Sequence, residues 1–285
     1  MKPAPFAYLR PATVGEAVMA LAEPVDQRVL AGGQSLLPLL NLRLARVDRL
    51  VDIGGLNELD RIFVGPDSVV LGALVRHRRV EQDPEVAAHA PLLAAAAAHI
   101  GYPAIRTRGT LGGSLAHADP TAELPAVVAL LDGVVYLDSA TGRREVAAEQ
   151  FAQGHYSTAA ADGELLTWVR VRRLGPGEGW GFHEYAHHRG DFALVGAAAV
   201  VTLDPAGRVS NGRAVLFGAT STPIVLEVGE LLRTQPDAAD VAELARAWCA
   251  AVEIDDHYRS QLAPPAVAGA LGQAIERARD AGVRA

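Results

Sequence analysis

Apolar and polar positions follow two rhythms along this chain, and each change of rhythm marks an element. Thr13-Val14-Gly15-Glu16 has capping-box spacing, and Ala17, Val18, Ala20 and Leu21 follow before Pro24, which predicts a short first helix. Arg28 to Ala31 reads as a strand, Gly32-Gly33-Gln34-Ser35 as a turn, and Leu36 to Leu44 as a helix whose Pro38 fits only in its first turn. Leu50 to Ile53 is a further strand that stops at Gly54-Gly55. The spacing predicts a small βαβ unit with a glycine loop opening its helix.

Short strands are expected near Arg61 to Val64 and Ser68 to Leu71, then a helix over Pro84 to Ile100 and a long polar loop from Gly101 to Asp119. Glu123 to Leu131 reads as a helix with Pro125 in its first turn, and Gly133 to Asp138 has strand character. In Glu164 to Arg172, Leu165, Thr167, Val169 and Val171 alternate with Leu166, Trp168, Arg170 and Arg172, the period of a strand. The glycine-rich run Gly175 to Gly181 is the expected linker. Beyond it lie strands near Ala197 to Leu203 and Val209 to Phe217, joined by a turn at Pro205-Ala206-Gly207, then helices over Ala238 to Val252 and Pro265 to Ala281. Strands followed by helices give an α+β architecture, divided here into units 1–55, 56–174 and 177–285.

With 285 residues, half of them apolar, the chain can bury the cores of two or three such units. No stretch approaches the roughly 20 uncharged apolar residues of a membrane span. Met1 to Pro5 lacks the apolar core of a secretion signal, so a cytoplasmic protein is expected. The net charge of −7 argues against wholesale binding of nucleic acid or anionic membranes, which favour basic faces. Any phosphate must be held by local design. Cys249 is the one cysteine, so an iron–sulfur cluster, which needs about four thiolates, would have to come from another chain.

Two loops carry candidate chemistry. Gly32-Gly33-Gln34-Ser35 and Thr110-Leu111-Gly112-Gly113-Ser114 both pair adjacent glycines with hydroxyl or amide side chains. Exposed N–H groups at such a turn form an anion nest without formal charge, so two loops could grip the two phosphates of a dinucleotide, with Ser35, Thr110 and Ser114 adding hydroxyls. Either loop alone is equally an ordinary tight turn, and neither a Rossmann fingerprint nor a Walker loop occurs. By themselves these residues point only to a phosphate-bearing ligand.

The string Leu30 to Pro38, then Ile105 to Ala116, then Asp119-Pro120-Thr121-Ala122-Glu123-Leu124-Pro125, resembles the FAD-binding medium subunit of carbon monoxide dehydrogenase and the flavin portion of xanthine dehydrogenase, both of the molybdenum hydroxylase family. Gly190 to Val195 and Asp256-His257-Tyr258-Arg259 match the same pattern, so the resemblance spans essentially the whole chain. It implies two N-terminal α/β subdomains of the FAD-binding, PCMH-like type, with FAD extended between them, and a C-terminal antiparallel sheet with helices near the flavin ring. It assigns Ala31, Gly32, Gly33, Gln34 and Ser35 to the pyrophosphate, with Leu36 in the cofactor-binding set, and Thr110, Leu111, Gly112, Gly113 and Ser114 to its second side. Glu123 matches the acidic position near the ribityl chain, and the backbone near Leu165 and Leu166 would edge the ring. Ile100 and Phe192 fall beside the ring, and Asp119 and Asp191 join the cofactor-binding set.

The function so implied is an oxidoreductase subunit that takes electrons from an iron–sulfur small subunit and passes them to an external acceptor. A molybdenum-cofactor large subunit would choose the substrate. Such transfer needs no acid or base from this chain. Relatives often carry arginine where this chain has His187 and His188, and some carry lysine at His183, so the charge near the flavin becomes sensitive to pH.

A self-contained flavin oxidase is the alternative, and would need its own substrate pocket. A zinc metallohydrolase is another, because His183-Glu184-Tyr185-Ala186-His187 fits H-E-x-x-H with Gly190 where the longer pattern wants glycine. That motif requires a helix, which the run Gly177 to Gly181 does not favour, and Ala193 stands where a third histidine would fall. The histidines are therefore expected on a strand and loop beside the flavin. His117 is either a loop residue or a flavin contact, and Arg106 and Arg108 pair with phosphate or with acidic neighbours.

Overall fold

The computed structural model describes residues 2–228 and 235–284. The first unit runs β1 (Ala7–Leu9), α1 (Val14–Leu21), β2 (Gln27–Leu30), α2 (Leu36–Asn41), β3 (Arg49–Asp52), with β3 lying between β1 and β2 and parallel to both. Half of the expected capping box forms: the Thr13 hydroxyl accepts from the Glu16 N–H, whereas the Glu16 carboxylate reaches past Thr13 and accepts from the Ala12 N–H at 2.8 Å. α1 then buries Ala17, Val18, Ala20 and Leu21.

The second unit contains β4 (Ile62–Val64), β5 (Ser68–Gly72), α3 (His77–Gln82), α4 (Pro84–His89), α5 (Pro91–Ala97), α6 (Pro103–Arg106), α7 (Leu111–His117) and α8 (Glu123–Leu130). It continues with β6 (Val134–Ser139), β7 (Gly142–Ala147), α9 (Ala148–Phe151), a small hairpin of β8 (Ala152–Gly154) and β9 (Ser157–Thr158), and β10 (Leu165–Arg172). The sheet is antiparallel in the order β4-β5-β10-β6-β7, so the alternating strand is its centre. α8 is buried on every side, which is why its sequence shows no polar face.

Two expectations fail in this unit. The single helix over Pro84 to Ile100 is two helices, because the residue before a proline is driven out of the α region, and Ala90 sits at φ −139° before Pro91 starts α5. The expected loop from Gly101 to Asp119 holds α6 and α7. Thr110 caps α7, and Gly112 within it is glycine because room is scarce: a Cβ there would lie 2.5 Å from the Ala73 Cβ.

The third unit is an antiparallel meander, β11 (Glu178–Tyr185), β12 (Val195–Leu203), β13 (Val209–Phe217) and β14 (Ile224–Glu227), with α10 (Ala238–Ala250) and α11 (His257–Arg284). The expected linker is largely strand, since Glu178 to Gly181 form the first half of β11. A Cβ on Gly179 would fall 1.9 Å from the Ala274 carbonyl oxygen, and one on Gly181 would fall 1.9 Å from that of Ala270. These glycines therefore seat the backbone of α11 directly on the strand. α11 begins at His257, ahead of the expected Pro265, and carries Pro264 and Pro265 within it. Arg213 of β13 joins this unit to the second, donating to the Leu130 carbonyl at 2.9 Å and pairing with Asp132, Glu149 and Glu227. No helix among the described residues is long and apolar enough to cross a membrane.

Candidate functional site

After β2 the chain turns at Gly32-Gly33, with Gly33 at φ +72°, and enters α2 at Leu36. Among the described residues no hydrogen bond uses the N–H of Gly32, Gly33, Gln34 or Ser35, and the Ser35 hydroxyl makes no capping bond. The Gln34 amide donates back to the Gly32 carbonyl at 3.2 Å and so stiffens the turn. Consecutive unused donors at a strand-to-helix turn make an uncharged anion nest.

The second glycine loop differs in kind, contrary to expectation. The N–H groups of Leu111 and Gly112 donate to the carbonyls of Val75 and Ala73, each at 2.9 Å. Those of Gly113 and Ser114 donate to the hydroxyl and carbonyl of Thr110 at 3.1 and 3.0 Å. This loop is no nest, because its donors are already satisfied. Its segment serves by close approach instead: a Cβ on Gly32 would lie 2.3 Å from the Arg108 carbonyl oxygen, so the two loops meet backbone to backbone. Thr110, 1% exposed, is the N-cap of α7, which leaves Ser35 and Ser114 as the uncommitted hydroxyls.

His77 lies beneath this seam. Its Nε2–H donates to the Thr110 carbonyl at 2.9 Å, and its buried Nδ1, without a partner, faces Gly109. Burial, with the charges of Arg106 and Arg76 adding to it, pulls His77 down to about 4, so the ring is neutral at neutral pH.

A cavity of about 190 Å³ opens beside the first loop, lined by Leu30, Ala31, Gly33, Leu37, Asp52, Gly54 and three arginines, Arg10, Arg76 and Arg108. The arginine alternatives left open by the sequence are thereby separated. Arg106 is 9% exposed, pairs with Glu81 at 2.8 Å and donates to the carbonyls of Ile100 and Gly101, whereas Arg108 borders the cavity. Arg10 and Arg76 carry no motif, and only the topology brings them here.

The remaining expected residues do not line this cavity. Asp119 accepts from the Thr121 N–H and hydroxyl at 2.9 and 2.7 Å and so fixes the turn into α8. Glu123, the first residue of α8, is 7% exposed, and burial, aided by the charges of Glu184 and Asp119, pushes its carboxyl up to about 8. Ile100 is brought to the loop of Asp191 and Phe192, since a Cβ on Gly190 would lie 3.0 Å from the Gly101 carbonyl oxygen. Asp191 pairs with His188 at 3.1 Å, and Phe192 is 76% exposed. The side chains of Leu165 and Leu166 are buried in the core, so only their backbone is available to a ligand. His117 stacks on Tyr156, with ring centroids 5.0 Å apart, and burial lowers its pKa.

The H-E-x-x-H motif does not form a metal site. His183 and Glu184 lie on β11 and His187 in the loop beyond it, and extended backbone rising about 3.3 Å per residue cannot bring positions four apart to one helical face. Glu184 instead accepts from His99 Nδ1 at 3.0 Å, a pairing across 85 positions that no local pattern announces.

A parallel three-stranded unit and an antiparallel five-stranded sheet that meet at a glycine seam, followed by an antiparallel meander, present a nest of unused N–H groups and an arginine-bordered cavity of the kind that suits a phosphate-bearing cofactor. The chain belongs to the family of FAD-binding domains in molybdopterin dehydrogenases, whose pattern matches residues 4–172. The alpha subunit of the 6-hydroxypseudooxynicotine dehydrogenase complex of Paenarthrobacter nicotinovorans is 37% identical, over 98% of this chain and 97% of that protein. The carbon monoxide dehydrogenase medium chain of Hydrogenophaga pseudoflava is 35% identical, over 97% and 99% respectively. A chain of quinoline 2-oxidoreductase from Pseudomonas putida 86 superposes with a TM-score of 0.92 at 36% identity, over 99% of this chain and 100% of that one. The chain is thus an FAD-binding medium subunit of a multi-subunit dehydrogenase, an oxidoreductase component with FAD as its cofactor.

Proposed function

We propose that the chain holds FAD along the seam between units 1–55 and 56–174, with the flavin ring directed toward unit 177–285. It takes electrons from the iron–sulfur clusters of a small subunit and delivers them to an external acceptor, while a molybdenum-cofactor large subunit oxidises the organic substrate. The observation that carries this reading is the row of unused N–H groups from Gly32 to Ser35, facing a second loop packed so closely that Gly32 has no room for a Cβ. A pyrophosphate requires such a cradle, and Arg10, Arg76 and Arg108 around the adjoining cavity offset its charge.

Ala31 to Leu36 would hold the pyrophosphate, Ser114 would add a hydroxyl, and Thr110 to Gly113 would wall the cleft. Glu123 and the backbone at Leu165 and Leu166 would lie along the ribityl chain and ring, with Ile100, Asp191 and Phe192 beside it, while Asp119 shapes the turn. FAD supplies the redox chemistry when bound; the protein supplies position and electrostatics. With Cys249 as its one cysteine, this chain cannot ligate a cluster, which supports a separate donor.

The test is reconstitution. The purified chain with FAD should be yellow and should not be bleached by organic substrates. Adding the cognate small and large subunits together should restore substrate-driven bleaching, and adding either alone should not. Bleaching by substrate in the single chain would overturn this reading in favour of a self-contained oxidase.

A further inference from the structure

We infer that Arg76 and His77, neighbours at the start of α3 that no motif marks, are positioning residues for FAD: between them they hold three successive carbonyls of the second loop and so fix how it faces the first. This rests on the FAD reading above. Arg76 is the N-cap of α3 and His77 its first residue. The Arg76 guanidinium donates to the Arg108 carbonyl, the His77 backbone N–H to the Gly109 carbonyl at 3.0 Å, and the His77 ring Nε2–H to the Thr110 carbonyl at 2.9 Å. The carbonyls of Arg108 and Gly109 lie between α6 and α7, outside both helices, and among the described residues no other donor reaches them. A buried carbonyl left without a donor is costly, so these bonds decide where the segment runs. Its register is fixed as well, by a β-bridge between Arg76 and Thr110 and by the Leu111 N–H, which donates back to the Val75 carbonyl at 2.9 Å.

The grip reaches the first loop by direct contact. The Arg108 carbonyl that Arg76 holds is the group against which Gly32 packs, and the Gly109 Cα lies 3.0 Å from where a Gly32 Cβ would sit. Gly109 in turn rests on the His77 ring, since a Cβ there would lie 2.7 Å from Nδ1. The Gly109 backbone thus touches both the ring and Gly32 with no side chain between. A shift of the ring moves the second loop relative to the unused N–H groups from Gly32 to Ser35. Arg76 has a further part, because it also borders the arginine-lined cavity, so the guanidinium that fixes the loop offers charge to a phosphate.

Histidine suits this place because it is a donor without charge. The ring is 6% exposed, its Nδ1 is buried with no hydrogen-bond partner, and burial with the charges of Arg106 and Arg76 keeps it neutral at neutral pH. A lysine would bring an unpaired charge beneath the loop. Arg106, at the end of α6, pairs at 2.8 Å with Glu81, which stands four positions after His77 in α3. The helix that carries the ring is therefore tied to the helix that leads into the gripped segment.

The full chain is titrated with FAD, read by flavin fluorescence, beside three variants whose folding is checked by circular dichroism. His77→Leu keeps an apolar bulk but has no donor, His77→Gln restores an amide donor at the reach of Nε2, and Arg76→Ala leaves the ring in place. The dissociation constant should rise at least about tenfold in His77→Leu and in Arg76→Ala, and return to within about threefold of the parent in His77→Gln. That rescue separates a hydrogen bond from mere filling of space, which Leu would supply as well as Gln. The loss in Arg76→Ala should persist in about 1 M salt, where a bare charge is screened. Parent affinity in folded His77→Leu or in Arg76→Ala overturns the inference, as does a His77→Gln no tighter than His77→Leu, or a loss in Arg76→Ala that vanishes in salt. If His77→Leu does not fold, parent-like affinity in His77→Gln with a salt-resistant loss in Arg76→Ala supports it, and weak binding by a folded His77→Gln overturns it. A parent chain that takes up no FAD overturns the functional reading instead.

Discussion

A single missing methyl group at Gly32 lets the two loops touch. In Gly32→Ala the new Cβ would meet the Arg108 carbonyl oxygen at 2.3 Å, and since this is backbone against backbone, no side chain can swing away. The loops must part, so FAD should bind at least about tenfold more weakly and the fold should lose roughly 1–3 kcal/mol, as read by fluorescence titration and by urea denaturation. Two buried ionisable groups set a pH signature of their own. His77 has a folded value of about 4 against its ordinary 6.5, so between these values the unfolded chain binds more protons and stability falls as pH falls. Glu123 has a folded value of about 8 against its ordinary 4.5, so there the folded chain binds more protons and stability falls as pH rises. The slopes oppose each other between about 4.5 and 6.5, leaving a net decline from 6.5 to 8. The melting temperature of the chain without FAD should follow that decline, and Glu123→Gln should abolish it. A melting temperature flat across that window in the parent would contradict the burial of Glu123.

At the scale of elements, the contact of β11 with α11 is the most sensitive. Gly181→Val would drive a branched side chain into the Ala270 carbonyl, 1.9 Å from where its Cβ must sit, and should destabilise the chain by about 3 kcal/mol in urea denaturation. The sequence misleads here because glycine has two uses. Gly175 to Gly181 reads as a linker by density, whereas Gly179 and Gly181, two apart on one face of a strand, leave room for a helix that arrives some ninety positions later. The same ambiguity hides α7, where Gly112 serves tight packing on Ala73, and makes the two glycine loops look alike although only one has donors to spare. Elements fixed by local rules were legible, including the helix N-cap at Thr13, the alternation of β10 and the turn at Gly32-Gly33. Pro91 was a stop signal within a helical pattern, and its effect on Ala90 is local chemistry that an apolar run obscured.

For the whole molecule, Arg213 ties the meander to the rest. Its side chain is 13% exposed and reaches Asp132, Glu149 and Glu227, so Arg213→Ala would leave three carboxylates without their shared partner. A loss of about 1–2 kcal/mol is expected in urea denaturation, because the half-exposed carboxylates are screened by water whereas the guanidinium's bond to the Leu130 carbonyl is lost outright. Family motifs made the cofactor legible, but the pairing of His99 with Glu184 was not, because it arises only when the meander docks beside α5. The contact of Gly32 with Arg108 has a kinetic consequence as well. The first loop hangs from the parallel sheet and the second from the antiparallel one, so a ligand gripped at their junction can leave only when the sheets swing apart. Its residence time is then set by how often the junction opens, and each bound FAD raises the work of opening, by about 2.7 kcal/mol at a hundredfold excess over the dissociation constant. Dissociation of FAD and the loss of whatever exchange protection FAD confers on the Gly32 and Gly33 amides should therefore share one temperature dependence, the flavin acting as the bolt of a hinge.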